Sequence, residues 1–387
     1  MSSVVTYHLR QETPMWHFQC LDTEMQSGAT LRGSDVKPRF DKFLIRQMKE
    51  EQMPWKNFRI SSDHDALNYK LQIYEKGEPV IKEMKFKAFF ANMNKKTNKE
   101  LTVFYPSGIY LKIVCFIPEL MQQIEKHIQG FFLIHNFGTR QTKGFGSFSV
   151  DEKNGRRISR DTKSVLKCYS SAEGYSIYEV DCENCSDHKG VLDNAYTLYQ
   201  WMKSGINFHD TYKKSLLTEY MLEKGVGGEK RWMKQNGIAP SVKKGTTKKF
   251  EPDDKDPEGA VSREQYIRAV MGVSGIQSWV TSKIDKYGNP IRDKISVSSE
   301  QIERFPSPIT IKVINNKVFF LAYDLNRGAR KEVLNKEFEF KGNQISDTLF
   351  TPSSFVMDDF IDYCSEKIKN TSFELSKKIY QFEMTKI

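Results

Sequence analysis

Apolar residues fall at every second position through Ile109–Ile117, with Ile109, Leu111, Ile113, Cys115 and Ile117 on one face. That period of two predicts a strand. Val4–Leu9, Tyr69–Tyr74, Ile81–Ala91 and Glu100–Tyr105 read as further strands, and NMNKKTNKE as a polar, basic turn between two of them. The period changes elsewhere. Phe40, Phe43, Leu44 and Met48 make a helical stripe opened by Gly33-Ser34-Asp35, with Ser34 or Asp35 as cap and Pro38 in the first turn. Leu120, Ile124 and Ile128 mark a second helix, Glu119–Ile128, started by Pro118 and ended by Gly130. A loop and a Phe-Gly-Ser-Phe strand follow. The order β, α, several β, α, β is a ferredoxin-like (RRM-like, βαββαβ) pattern with a decorated middle.

The second half mixes elements without strict alternation. Tyr175–Val180 is predicted as a strand; Leu192–Met202, Tyr212–Lys224 and Arg263–Met271 are predicted as helices. Pro308–Val313 and Lys317–Tyr323 form a hairpin around Asn315-Asn316. Ser353–Ile368 is a C-terminal helix and Lys378–Thr385 a last strand. The fold class is therefore α+β, in two domains: residues 1–165, and a degenerate second copy over 166–387. The second carries a helical insertion over about 203–275 and a flexible, charged loop over about 237–259.

Composition narrows the partners. The 387 residues carry 59 Lys+Arg against 49 Asp+Glu, a net charge of +10, which favours polyanions. Six cysteines are too sparse for a disulfide framework. The N-terminus lacks the apolar core of a signal peptide, and the apolar runs are too short to span a membrane, so a cytoplasmic, soluble protein is expected.

The chemistry gathers at HNFGTRQTKGFGSFSV, His135–Val150. Its glycines, Gly138, Gly144 and Gly146, allow positive φ and close approach to a partner, and Arg140 and Lys143 bring charge. The spacing is neither GxGxxG nor GxxxxGK[ST], and the loop follows a helix, so no nucleotide cofactor is expected. A plain hairpin turn with solvated cations is the simpler alternative. Together with ATLRGSDVKPRFDKFL (Ala29–Leu44) and SSEQIERFPSPITIKVI (Ser298–Ile314), this loop resembles the RAMP superfamily of CRISPR effector proteins. The order is most like the two-domain RAMP subunit of type III-B (Cmr) complexes. Asp35-Val36-Lys37-Pro38 stands where that family has Ser-x-Lys-Gly, Lys143 where a second Arg is usual, and Arg304 with Ser307-Pro308 matches an Arg-x-x-Ser-Pro-type segment.

The residues agree with a single-stranded RNA partner. Arg32, Ser34, Lys37 and Arg39 surround a helix N-terminus, where free amides favour phosphate. After the loop, Lys153, Arg156, Arg157, Arg160, Lys163 and Lys167 oppose only Asp151, Glu152 and Asp161, with Tyr169 and Tyr175 as stacking candidates. Lys203–Lys249 holds a second cluster with Tyr212, Tyr220 and Trp232, Trp232 being either a base platform or an inward-packing helix residue. The RNA-binding candidates are thus Arg32, Ser34, Lys37, Arg39, Gly138, Arg140, Lys143, Gly144, Gly146, Arg156, Arg157 and Arg304. Cys182, Cys185 and His188 have part of a zinc spacing, but only Cys168 or His209, through the fold, would supply a fourth ligand, and no metal or cofactor is assigned.

The resemblance implies an RNA-binding structural subunit near the 3′ end of a guide RNA, beside other RAMP subunits, contacting guide and target RNA, with no nuclease activity of its own. Two rival readings stand. One is a RAMP-type endoribonuclease acting through His8, His17 or His135, or through a metal held at Asp22, Asp63 or Asp65. The other is a protein–protein scaffold whose basic loops meet acidic subunits.

Overall fold

The computed structural model describes the chain except residues 1–2, 16–30, 78–79, 88–99, 106–107, 159–160, 183–187, 208–210, 239–248, 251–260, 274, 285–289, 327–331, 343–344, 370 and 376–377. It is a mixed α/β protein with antiparallel main sheets. Seven α-helices lie among the described residues: α1 (Gly33–Glu50), α2 (Pro118–Ile134), α3 (Thr162–Glu173), α4 (His188–Ser204), α5 (Leu216–Glu223), α6 (Glu229–Gln235) and α7 (Met357–Ile368).

The first five-stranded sheet has the order Lys70–Glu75, Ile109–Val114, Val4–Gln11, Phe148–Lys153, Arg156–Arg157. Each neighbouring pair is antiparallel. Val5, Tyr7 and Leu9 alternate with half-exposed or exposed neighbours and pack on Phe40, Phe43, Leu44, Ile124, Ile128 and Phe131 of α1 and α2. The second sheet has the order Ile309–Ile314, Lys317–Tyr323, Tyr175–Cys182, Lys378–Lys386, Ser372–Leu375, and it too is antiparallel throughout. Each sheet therefore has its first strand at the centre beside its third; the other neighbour is the fourth strand in the first sheet and the fifth in the second.

The run VFFLA at 318–322 shows how the two halves join. Val318, Phe320 and Ala322 face the second core, while Phe319 and Leu321 face the first. A strand covered on both sides reads as an unbroken apolar run. The helices of the first half thus lie between the two sheets, and α4, α5 and α7 cover the far side of the second. The expected boundary at 165/166 falls inside α3, whose Leu166 and Tyr169 pack into the first core.

Several local expectations need correction. α2 does not stop at Gly130; it runs on to Ile134. A Cβ at Gly130 would sit 2.0 Å from Tyr169 Cε2, so glycine there lets α3 rest directly on the α2 backbone. Arg32 occupies the N-cap of α1 without a side-chain cap bond, so Ser34 and Asp35 lie inside the helix and Pro38 beyond its first turn. Arg263–Met271 is a short strand, Arg263–Gln265, followed by a 3₁₀ turn, Ile267–Met271. That strand pairs with Val226–Gly228, which makes the 203–275 insertion mixed rather than helical. A four-stranded sheet over 276–284, 290–298, 337–342 and 345–350 was not anticipated. The Asn315-Asn316 hairpin matches its expectation, with φ of +52° and +60° at a two-residue turn. Most of the charged 237–259 loop and the NMNKKTNKE turn fall outside the described residues.

Candidate nucleic-acid interface

The three stretches singled out in the sequence converge. Arg39, midway along α1, donates from Nη1 to the Asn136 carbonyl and to Gln141 Oε1, both at 2.9 Å. Gln141 Nε2 in turn donates to the Gly138 carbonyl at 2.7 Å. Asn136 Nδ2 donates to the carbonyls of Gln141 at 2.7 Å and Ile311 at 2.8 Å. The glycine loop is thus clamped to α1 on one side and to the second sheet on the other.

The glycines serve this clamp. Gly138, Arg140, Gly144 and Gly146 all have positive φ, at +78°, +57°, +86° and +70°. A Cβ at Gly146 would lie 1.8 Å from the Phe137 carbonyl oxygen, and one at Gly144 2.9 Å from Leu192 Cδ2. The amides of Lys143, Gly144 and Gly146 donate to the carbonyls of Arg140, Gln141 and Pro14. Those three amides are therefore spent inside the protein, and the charge on the loop resides in its side chains.

Lys143 Nζ stands 3.7 Å from the ring centroid of Tyr199 and 5.5 Å from that of Tyr196, both on α4. Such cation–π contacts contribute about 0.5–2 kcal/mol. Burial, then the nearby charges of Lys203 and Arg140, pull its pKa down to about 7. Among the described residues no carboxylate lies within ion-pair distance of it. Lys203 donates to the carbonyls of Met271 at 2.8 Å and Gly272 at 3.1 Å, and burial lowers its pKa to about 8. The Tyr199 hydroxyl lies 2.9 Å from Ser307 Oγ, which joins the Arg304–Pro308 segment to the same place. Ser307 is buried and Arg304 is exposed. Loop and helix thus gather half-buried cations whose pKa values are lowered chiefly by burial, with the neighbouring charges adding to it at Lys143, an arrangement suited to an anion.

Beneath the loop sits a residue that the sequence reading passed over. Lys312 is 0% exposed, and its Nζ donates to the carbonyls of Phe132 at 2.7 Å and His135 at 2.8 Å and to Asn136 Oδ1 at 3.2 Å. It closes the C-terminal turn of α2, where unpaired carbonyls and the helix dipole favour a donor of this kind. Burial pulls its pKa down to about 7, opposed by Glu12. The signal was a lysine inside an otherwise apolar strand, ITIKVI. Tyr196 and Tyr199, which lie with Lys203 at spacings of three and four on α4, also went unremarked.

The other candidates are scattered. Arg32 and Ser34 are exposed at the start of α1. Lys37 is occupied by Asp41 at 2.7 Å and the Leu67 carbonyl at 3.1 Å. Arg156 and Arg157 are exposed on the edge of the first sheet, with Arg157 opposite Glu152 at the far end of the Phe148–Lys153 strand. At about 3.3 Å per residue, that hairpin lies some 15 Å from the loop. Lys153 pairs with Glu125 at 2.9 Å, and Lys163 pairs with Glu179. Tyr169, Tyr175, Tyr220 and Trp232 are buried, so the stacking role considered for each gives way to core packing. Tyr212 is half-buried and donates to the Ser204 carbonyl at 2.8 Å. Arg160, Lys243, Lys244 and Lys248 are outside the described residues.

Among the nuclease candidates, His135 bonds the Phe131 carbonyl through Nδ1, and burial pushes its pKa down to about 3, so it is neutral at physiological pH. His17 and Asp22 are outside the described residues; Asp63 and Asp65 are exposed on the hairpin joining Arg59–Ser61 to His64–Leu67. His8 comes near Asp151 and Glu152, their donor atoms within 4.8 Å of one another, at a register shift between the Val4–Gln11 and Phe148–Lys153 strands. Cys182 is a free thiol; Cys185 and His209 are outside the described residues, as is the side chain of His188.

Comparison with known proteins decides the family. Residues 2–206 match the Cmr1 N-terminal domain, and residues 212–386 match the Cmr1 C-terminal domain. The chain belongs to the Cmr1 family. No curated protein matches it. The apo crystal structure of Cmr1 from Pyrococcus furiosus is similar over 94% of this chain and 96% of that one, at 11% identity and a TM-score of 0.35. A chain from the cryo-EM structure of the type III-B Cmr-beta complex bound to cognate target RNA and AMPPnP, with ssDNA present, matches over 94% and 98%, at 10% identity and a TM-score of 0.38. A chain from the same kind of complex bound to cognate target RNA matches over 40% of this chain, which spans 61% of that one, at 10% identity and a TM-score of 0.27. No helix among the described residues is long and apolar enough to cross a membrane.

Proposed function

We propose that this Cmr1-family chain is an RNA-binding structural subunit of a cytoplasmic type III-B CRISPR effector. It contacts guide and target RNA near the guide 3′ end through the clamped glycine loop, beside other RAMP subunits, and has no nuclease activity of its own. Two ferredoxin-like halves build it; the shared order of the second, third and first strands in the two main sheets supports that reading. The observation that carries the RNA reading is the convergence of α1, the glycine loop and the Arg304–Pro308 segment on Arg140, Lys143 and Lys203. Flexible single-stranded phosphate suits such a site, because cations and not a fixed amide cradle hold it.

A pH titration tests the assignment. Phosphate binds the protonated form of Lys143, and free Lys143 loses its proton above about 7. Binding therefore takes up a proton, and affinity falls as pH rises. Between pH 6 and 8.5 the affinity for an unstructured RNA oligomer at constant salt should drop, by up to about tenfold per unit for each proton taken up. Lys143→Ala should flatten the profile. Equal affinity of the unaltered chain at both ends of the range would contradict the role given to Lys143.

A further inference from the structure

We infer that Tyr196 is the base platform of this site, stacking on an unpaired nucleobase whose flanking phosphate is held by Arg140 and Lys143. The inference rests on the RNA-binding reading and adds to it the part of the nucleotide that is not charge. Three large aromatics are exposed among the described residues, Phe116, Tyr196 and Phe350. Tyr196 is 48% exposed and stands beside the loop cations, with Lys143 Nζ 5.5 Å from its ring centroid. Its helix makes the arrangement deliberate. Tyr196 and Tyr199 are one turn apart on α4 and both meet Lys143, yet only Tyr199 turns inward, to Ser307 Oγ and the Met271 carbonyl. Tyr199 anchors the ammonium, and Tyr196 carries an open ring next to it.

Neither partner of this pair needs the other for folding. An exposed tyrosine ring gains little from its half-burial, and the cations beside it repel one another. Both features become favourable together when a phosphate and its base arrive. Every base has a π-face, so the platform accepts any unpaired base and excludes bases stacked within a duplex. The ligand class is therefore a single-stranded ribonucleotide segment, recognised without sequence preference at this position.

The test compares an oligoadenylate with an abasic oligomer of equal length and charge, by fluorescence anisotropy across a salt series. Tyr196→Ala should weaken the oligoadenylate roughly 5- to 150-fold, the range for losing one base–aromatic stack, with its salt slope unchanged. The same variant should bind the abasic oligomer as the unaltered chain does, and Tyr196→Phe should keep most of the affinity. Tyr196→Ala binding oligoadenylate as tightly as the unaltered chain would overturn the platform while leaving the phosphate site standing. An unaltered chain that binds neither oligomer, or binds both without salt dependence, would overturn the RNA reading and the platform with it.

Discussion

Replacing Arg140 and Lys143 together by alanine is expected to weaken single-stranded RNA binding by roughly a hundredfold or more at moderate salt. Charge-assisted hydrogen bonds contribute about 1.5–3 kcal/mol each, and two are removed. The dependence on salt should change as well. Each phosphate contact on a single strand contributes about −0.7 to the log–log slope, so the doubly substituted chain should lose about 1.4. Folding should be little affected. Lys143 forfeits a cation–π contact with Tyr199, but its removal also relieves the burial of an ammonium and its repulsion from Arg140 and Lys203. The melting temperature should therefore move by no more than about 2 °C. Electrophoretic shifts across a salt series, with a thermal melt of each chain, read both effects. An unaltered slope would mean that these cations do not meet phosphate.

Lys312→Met acts on the other side of the same structure, and its effect is on stability. Methionine keeps the apolar stem but leaves the carbonyls of Phe132 and His135 and Asn136 Oδ1 without their buried donor. Each unsatisfied buried acceptor costs about 1–3 kcal/mol, so a loss of about 3 kcal/mol or more is expected. With an unfolding entropy of about 2.1 cal/mol/K per residue, that corresponds to a drop of a few degrees in melting temperature for a chain of this length. Hydrogen exchange should localise the damage, with faster exchange in the last turn of α2 and in the glycine loop, which Asn136 ties to the lysine strand. Exchange and melting both unchanged would show that the α2 C-terminus does not depend on Lys312. RNA binding should weaken only as far as the loop loses its clamp.

The main strands were legible because alternation is a strong signal wherever one face is buried. Val4–Gln11 and Ile109–Val114 show it in the first sheet, and the Asn315-Asn316 turn in the second. What stayed illegible depended on distant partners. Gly130 reads as a helix stop until Tyr169 is seen lying on it. Arg263–Met271 has helical spacing, yet its first residues are claimed by pairing with Val226–Gly228. The 276–350 sheet had a readable part, since Phe338 and Phe340 alternate with Glu337 and Glu339, but its exposed Ile345–Phe350 strand gives no such pattern.

The site divides in the same way. Arg140 and Lys143 stood out because glycines flank them, whereas Arg39 looked like a phosphate ligand and is a brace for the loop. The glycines themselves were read as allowing close approach to a partner; Gly144 and Gly146 instead permit close packing inside the protein. Tyr169, Tyr175 and Trp232 looked like base platforms because they neighbour cations in sequence, but burial decides against them. Tyr196 lies outside both basic runs, between Lys189 and Lys203, and only the docking of the loop on α4 brings it to Lys143.

Photo-crosslinking of a 4-thiouridine-labelled single-stranded RNA, followed by mass spectrometry of the joined peptides, asks directly where the strand lies. Adducts should fall on the peptides that contain Arg140 and Lys143, Tyr196 and Arg304. Adducts confined to the Arg156–Arg157 hairpin or to other surfaces, with none on the glycine loop or α4, would contradict it.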